Sequence, residues 1–335
     1  MKSRLVALLR CPVCRGELRL DAPELEPAAP DPEIISGALT CVGCGRAYAI
    51  EGGIPRLLAA SAHERERRWT ASRFGYLWSR SSARAAEPTS YHFERIHATV
   101  PLPPPRGTIL DAGCGDGIDL ANVARRGDAV VVGVELSDGG TATSYARIRQ
   151  VPDAHVVQAD LRAMPFADET FDLVYSYGVV HHLTPPQHAV RELARVARRG
   201  ATVAIYVYED FATRTLGMRL ALRGVNSVRG FTTRLPPRLL FRVCQLASPL
   251  VYTMFTLPHL AFRNVPGVAA VARALPYRHG RSPFGLAGDL YDRFSAPVEL
   301  RFSGPGTAQL LHDAGLVDVR VGYERGWVGV GRKPV

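Results

Sequence analysis

Two stretches carry residue types at spacings that can do chemistry. The first is a pair of C-x-x-C steps, Cys11 and Cys14 in "RCPVCRGEL" and Cys41 and Cys44 in "TCVGCGRAY", with 26 residues between the pairs. Four thiolates so spaced suit a tetrahedral Zn²⁺, each pair gripping it from one tight turn. A closed Cys₄ site has no open coordination position, so it folds a module and performs no reaction. The second stretch is "ILDAGCGDG", which places Asp111, Gly113, Gly115 and Gly117 between an apolar run and an amphipathic one. Glycines there let the backbone approach a ligand at a strand's carboxyl end. The Gly-Lys-Ser/Thr of a phosphate loop is missing, and so is the G-x-G-x-x-G of a nicotinamide site. Two further acids, Glu135 in "AVVVGVEL" and Asp160 in "HVVQAD", each close an apolar run. Their plainer reading is as helix caps.

The elements that must position these residues follow from the patterning. From residue 108 short Val/Ile runs alternate with amphipathic stretches: "TILDAG", "AVVVGVEL", "AHVVQAD", "FDLVYSYG" and "ATVAIYVYE" as strands, with helices such as "PPQHAVRELARVARRG" between. Near-continuous β-branched runs are the mark of strands buried on both faces. The alternation predicts a doubly wound α/β sheet. "GTAQLLHDAGL" reads as a helix, and "VDVRVGYE" with "GWVGVGRKP" as a closing hairpin. Upstream, Gly127 is expected to end a helix, and the Pro/Glu-rich 21–33 is expected to be a loop.

The N-terminal stretch resembles a known family. "LLRCPVCRGEL…ALTCVGCGRAYAIEGGIPRLL", about residues 5–58, is similar to the small zinc-ribbon subunit that activates several tRNA, rRNA and protein methyltransferases. The later chain, over roughly 105–210 and 289–330, resembles the class I S-adenosylmethionine-dependent methyltransferases. The G-x-G-x-G spacing is like their first motif. That resemblance implies S-adenosylmethionine as cofactor, with S-adenosylhomocysteine as product. It also implies that Asp111 and the three glycines line the cofactor, that Glu135 holds the ribose diol, and that Asp160 with Leu161 holds the adenine. "FDLVYSYGVVHHL" resembles the family's fourth strand and its exit, which brings in Ser176 as a cofactor contact. Arg-Arg-Gly stands where Lys-Pro-Gly-Gly is usual. "RFGYLWSR" resembles an aromatic lid, with Phe74, Tyr76 and Trp78 as its rings.

The methyl acceptor is less legible. Methyl transfer from a sulfonium leaves the protein to position the acceptor and take its proton. His182 leads the candidates, followed by His181, Tyr177 and Tyr291; Tyr206, Tyr208, Glu209 and Asp292 stand nearby in sequence. His182 read blandly is a loop-holding histidine. No Asn-Pro-Pro-Tyr and no Pro-Cys nucleophile occurs, which argues against amide or pyrimidine C5 methylation. "PFADETFDLVYSYGVVHHL" and "YDRFSAP" resemble methyltransferases of quinones and other small metabolites.

Charge adds one further feature. The 335 residues carry a net +10, and from Phe211 to Gly288 there are eleven arginines and neither Asp nor Glu. Such an insert suggests an anionic partner, although a solvated arginine face is the plain alternative. Residues 243–262 are uncharged and long enough to span a bilayer. Pro249 and Pro258 interrupt them, so a buried or interfacial cap is the expectation. "MKSRLVALLR" is not read as a signal peptide, and unpaired cysteine usage fits a cytoplasmic protein.

The expected organisation is a zinc ribbon (1–60), a linker and lid (61–105), a Rossmann-like seven-stranded methyltransferase core (106–210 and 289–335) and an arginine-rich helical cap (211–288). The expected function is methyl transfer to a small, lipophilic or anionic metabolite under the cap. The alternative is an rRNA or tRNA base methyltransferase whose ribbon and arginines bind nucleic acid. A non-enzymatic scaffold is a third. Peripheral membrane contact through the cap is compatible with the first, and the oligomeric state is open.

Overall fold

The computed structural model describes residues 1–26, 32–80, 92–126, 128–280 and 282–335. Gly127 and Arg281 lie outside the described residues. The chain divides into two compact units, Met1–Thr213 with Val298–Val335, and Arg214–Pro297.

In the first unit a 3₁₀ turn, Ser3–Leu8, leads into β1 (Leu18–Glu26), β2 (Glu33–Cys41), β3 (Ala47–Glu51) and β4 (Ile54–Pro55), an antiparallel sheet in that order. The Pro/Glu-rich stretch expected as a loop is therefore a strand as far as Glu26. It pairs with β2 across a register shift between Asp21 and Glu24. The shift absorbs Pro23, which has no N–H for the ladder. Helix α1 (Glu64–Ser79) and α2 (His92–Thr99) follow.

The main sheet is built from β5 (Gly107–Ala112), α3 (Ile118–Ala124), β6 (Ala129–Glu135), α4 (Asp138–Ile148), β7 (Ala154–Gln158), β8 (Phe171–Tyr177), α5 (Pro186–Val196) and β9 (Ala197–Val207). After the helical unit the chain returns as α11 (Gly304–His312), β10 (Val317–Tyr323) and β11 (Trp327–Arg332). The strand order is β10-β11-β9-β8-β5-β6-β7. Strands β5 to β9 are parallel, and the closing hairpin adds antiparallel to β9. The order reverses between β5 and β8, and the crevice above such a switch point is where doubly wound sheets bind ligands. The parallel strands are almost wholly buried, as their Val-rich runs require. Helix α5 starts on a proline and buries Pro186, Ala189, Val190, Leu193 and Ala194, one stripe at helical spacing.

The N-terminal sheet is joined to the main one. The Leu57 amide donates to Gln158 O (2.8 Å), so the segment after β4 continues beside β7, the edge strand. The Arg10 amide donates to Pro165 O (2.8 Å). Leu5, Leu9, Ile34, Leu39 and Leu57 belong to the same continuous apolar cluster as Met164, Phe166, Phe171 and Leu193 under the main sheet. The small module thus covers both an exposed edge and an apolar face, two liabilities of an open sheet.

The second unit is helical: α6 (Leu216–Thr232), α7 (Pro237–Val251), a π turn at Tyr252–Thr256, α8 (Leu257–Phe262), α9 (Ala269–Ala274) and α10 (Ala287–Ser295). The unit ends later than the insert's expected boundary, because α10 packs on α6 and α7. Tyr291 and Asp292 lie on α10 and so belong to this unit, not to the sheet core. Tyr291 is fully buried, its ring 5.6 Å from that of Phe241.

Candidate active site and metal centre

The glycine loop fills the turn from β5 to α3. Gly113, Gly115 and Gly117 take φ values of 91°, 54° and 75°, a region that L side chains avoid. Space is as restrictive as conformation. A Cβ on Gly113 would lie 2.2 Å from Val179 in the loop after β8, and one on Gly115 would lie 3.0 Å from the Trp78 indole. Trp78 on α1 therefore covers the loop. Phe74, one turn earlier, has its ring centroid 5.1 Å from that of His182. Tyr76 is turned to Arg80 instead, whose guanidinium lies 5.6 Å from its ring centre. Two of the three expected lid rings thus border the crevice.

Glu135 ends β6 beneath this loop. Its Oε1 accepts from the Ser137 amide (2.8 Å) and hydroxyl (2.6 Å), and Oε2 accepts from the Gly115 amide (3.2 Å). Burial pushes its carboxyl pKa up, and these donors pull it back. A carboxylate offers about four acceptor sites, so Oε2 keeps one for a ligand hydroxyl. Asp111 is buried on β5. Burial first, then the nearby Asp119 charge, raise its pKa well above the usual carboxylate range.

Asp160 follows β7 and is already engaged. Arg162 donates to Oδ1 through its amide (2.9 Å) and Nε (3.0 Å), and to Oδ2 through Nη2 (2.8 Å). The same guanidinium donates to Glu66 Oε1 on α1 (2.9 Å). One acceptor site on Oδ2 remains, enough for a single amine. Leu161 is buried beside it. The Ser176 hydroxyl is spent on Ala112 O (2.8 Å), tying β8 to β5, so its side chain does not face a ligand as a donor.

Of the acceptor-side candidates, His182 has the most informative geometry. Its Nδ1 lies 2.6 Å from Val298 O. A carbonyl only accepts, so Nδ1 carries the hydrogen, and Nε2 is the basic nitrogen of the neutral ring. His181 is fully buried, its ring centroid 4.0 Å from that of Tyr208. Tyr177 is stacked between His92 (4.3 Å) and Tyr206 (4.2 Å), and its hydroxyl donates to Glu324 Oε2 (3.1 Å). Burial raises the Tyr177 phenol pKa. Its stacked position is that of a packing element. The buried Glu209 accepts from the Tyr323 hydroxyl (2.8 Å), a partner across the closing hairpin that no local pattern announced.

The four cysteine sulfurs converge within 4.8 Å of one another. Cys11 and Cys44 are 3.7 Å apart, and Cys14 and Cys41 are 3.4 Å apart. Tetrahedral zinc with Zn–S bonds of 2.3 Å separates its sulfurs by about 3.8 Å, so the set fits that ion. Matching turns make it: the Arg15 amide returns to Cys11 O, and the Gly45 amide to Cys41 O. The Cys44 amide donates to Cys41 Sγ (3.4 Å), and the Tyr48 hydroxyl lies 3.2 Å from Cys11 Sγ. A thiolate set needs such donors.

Two family models match parts of the chain. Residues 110–205 match the family model described as a methyltransferase domain, and residues 2–53 match the model of Trm112p-like proteins. The chain carries a methyltransferase domain joined to a Trm112p-like domain. Over 134 residues it is 32% identical to a 27-O-demethylrifamycin SV methyltransferase of Amycolatopsis mediterranei, covering 39% of this chain and 48% of that protein. Over 102 residues it is 32% identical to a phosphatidylethanolamine N-methyltransferase of Cereibacter sphaeroides, covering 30% and 49%. The chain thus spans about half the length of these curated relatives. Among solved structures, a complex of the Haloferax volcanii Trm112 methyltransferase activator with a putative methyltransferase is similar at a TM-score of 0.45 and 14% identity, covering 79% of this chain and 98% of that one.

Proposed function

We propose that this protein transfers a methyl group from S-adenosylmethionine to a small lipophilic acceptor. The observation that carries the reading is the crevice at the switch point. There a glycine loop that admits no side chain lies against Glu135, and Asp160 ends the neighbouring strand. In this reading Glu135 takes a ribose hydroxyl, Asp160 the adenine amine, and the backbone of Gly113–Gly117 the close approach. When bound, the cofactor supplies a methyl on a positively charged sulfur, already activated for in-line displacement. The chain's own part is to hold the acceptor in line, exclude water under α1, and remove a proton. His182 is the candidate for that proton, through Nε2. The N-terminal module serves as a zinc-folded cover of the sheet rather than as a site of reaction.

The lipophilic acceptor is supported by the relatives, whose names include cycloartenol and phosphatidylethanolamine as well as the rifamycin precursor. The test is incubation of the full chain with methyl-labelled S-adenosylmethionine and cell extract, split into RNA and organic-extractable fractions. Label in the organic fraction is expected. Label confined to RNA overturns the acceptor class. His182 is tested separately: His182→Gln should lower turnover by about 100- to 10,000-fold, the range for general-base catalysis, with S-adenosylhomocysteine binding unchanged.

A further inference from the structure

The rod formed by α7, the π turn and α8, Pro237–Phe262, buries one face within its unit and presents an apolar stripe on the opposite one. Leu240, Phe241, Cys244, Ser248, Thr256 and His259 are buried within the helical unit. Leu239, Val243, Leu246, Leu250, Met254 and Leu257 point to solvent, Leu246 at 80% exposure and Leu250 at 63%. Their steps of three and four residues make one continuous stripe. An exposed apolar stripe of this length is unusual on a soluble surface and marks a covered one. Charge says what covers it. Arg238 and Arg242 stand exposed beside the first two stripe residues, Arg263 closes the far end, and no acid occurs between Phe211 and Gly288.

We propose that the unit Arg214–Pro297 docks the protein on an anionic bilayer surface, with this rod lying in the plane of the interface. The leucines enter the boundary between headgroups and acyl chains, and the arginines meet lipid phosphates. A second copy of the chain would bring like charge against like. RNA would satisfy the arginines but leave Leu246 and Leu250 in water. The rod is long and apolar enough to cross a membrane by composition, yet its inner face is tied down along its length. Ser248 donates to Pro283 O (2.6 Å), Thr256 to Tyr277 O (2.6 Å), and His259 Nδ1 to Ala272 O (2.9 Å). Spanning would break all three and leave the freed polar groups of Ser248, Thr256 and His259 in hydrocarbon, so the rod lies on the surface. This inference does not depend on the methyl acceptor.

The experiment is co-flotation of the full chain with vesicles of phosphatidylcholine alone, or of phosphatidylcholine and phosphatidylglycerol in equal parts. Binding to the anionic vesicles is expected to exceed binding to the neutral ones and to fall as salt is raised. Leu246→Gln with Leu250→Gln should reduce the bound fraction at least about tenfold. Both positions are exposed, so the thermal melt should stay at the wild-type value. Arg238→Gln with Arg242→Gln should narrow the difference between the two vesicle types while retaining part of the binding. Equal flotation of wild type and the leucine variant overturns the proposal. So does absence of vesicle binding, whether the chain instead forms a dimer that the leucine variant dissolves or is retained on RNA.

Discussion

Gly139→Ala is the sharpest test of how the crevice is closed. Gly139 lies in the first turn of α4, where α1 crosses it. A Cβ there would sit 2.1 Å from Gly75 O and 2.8 Å from Gly75 C, both backbone atoms of α1. Carbon and oxygen in contact need about 3.3 Å, so α1 must retreat by roughly 1 Å or α4 must unwind its first turn. No side-chain rotation relieves a clash between backbones. Overpacking of this kind costs about 1–3 kcal/mol, which lowers the melting temperature by about 2–4 °C per kcal/mol for a unit of this size. The same retreat lifts Trp78 from Gly115 and Phe74 from His182. Binding of S-adenosylhomocysteine should weaken about tenfold, the equivalent of about 1.4 kcal/mol. Titration calorimetry and a thermal melt read the two effects. Gly217→Ala is the control. It lies in α6 with nothing within 4 Å of its added Cβ, and should be neutral or stabilising by up to about 1 kcal/mol. A Gly139→Ala protein that melts and binds like wild type would refute the clamp between α1 and α4.

Three other outcomes follow from the same structure. Glu135→Gln removes the charge from hydrogen bonds worth about 1.5–3 kcal/mol when charge-assisted, so S-adenosylhomocysteine affinity should fall about 10- to 100-fold, as measured by calorimetry; unchanged affinity would remove Glu135 from the site. Elemental analysis should find about one zinc per chain. Because about 10 kcal/mol of metal binding can be linked to folding, chelation or Cys44→Ser should unfold the module, expose the apolar cluster it shares with the sheet, and cause aggregation seen by light scattering. His155 is buried, and burial, followed by the charges of Lys2 and Arg4, pushes its pKa from 6.5 down to about 3. The unfolded chain therefore binds the extra proton between those values, and this contribution to stability is full above pH 6.5 and lost as pH falls toward 3. Between pH 8 and pH 5 it amounts to about 2 kcal/mol. Denaturant melts of His155→Leu should show that much less loss than wild type; parallel losses would mean the histidine is protonated in the folded state.

What the sequence determined by itself is what lies close along the chain. The C-x-x-C pairs and the G-x-G-x-G loop are legible because a tight turn and a strand-to-helix junction are local structures, with ligand atoms a few residues apart. Glu135 and Asp160 are legible because each ends an apolar run, and in a parallel sheet all such ends share one edge. The tertiary structure decided what those groups touch. Asp160 is gripped by Arg162, two residues on, but Arg162 also reaches Glu66, far upstream on α1. Tyr177 is a candidate base by position alone, and the fold holds it in a ring stack with its hydroxyl on Glu324. Periodicity marks which face of an element is buried, and it does not name the partner. It gave no sign that Leu57 would pair with the β7 edge, or that Gly75 would meet Gly139 backbone to backbone. The boundary of the helical unit moved for the same reason: α10 has a sheet domain's sequence neighbours, but its apolar stripe packs on α6 and α7. The exposed stripe on the α7–α8 rod is the clearest case. Twenty uncharged residues read alike all round, and only packing separates the face that the unit buries from the face left to something outside the chain.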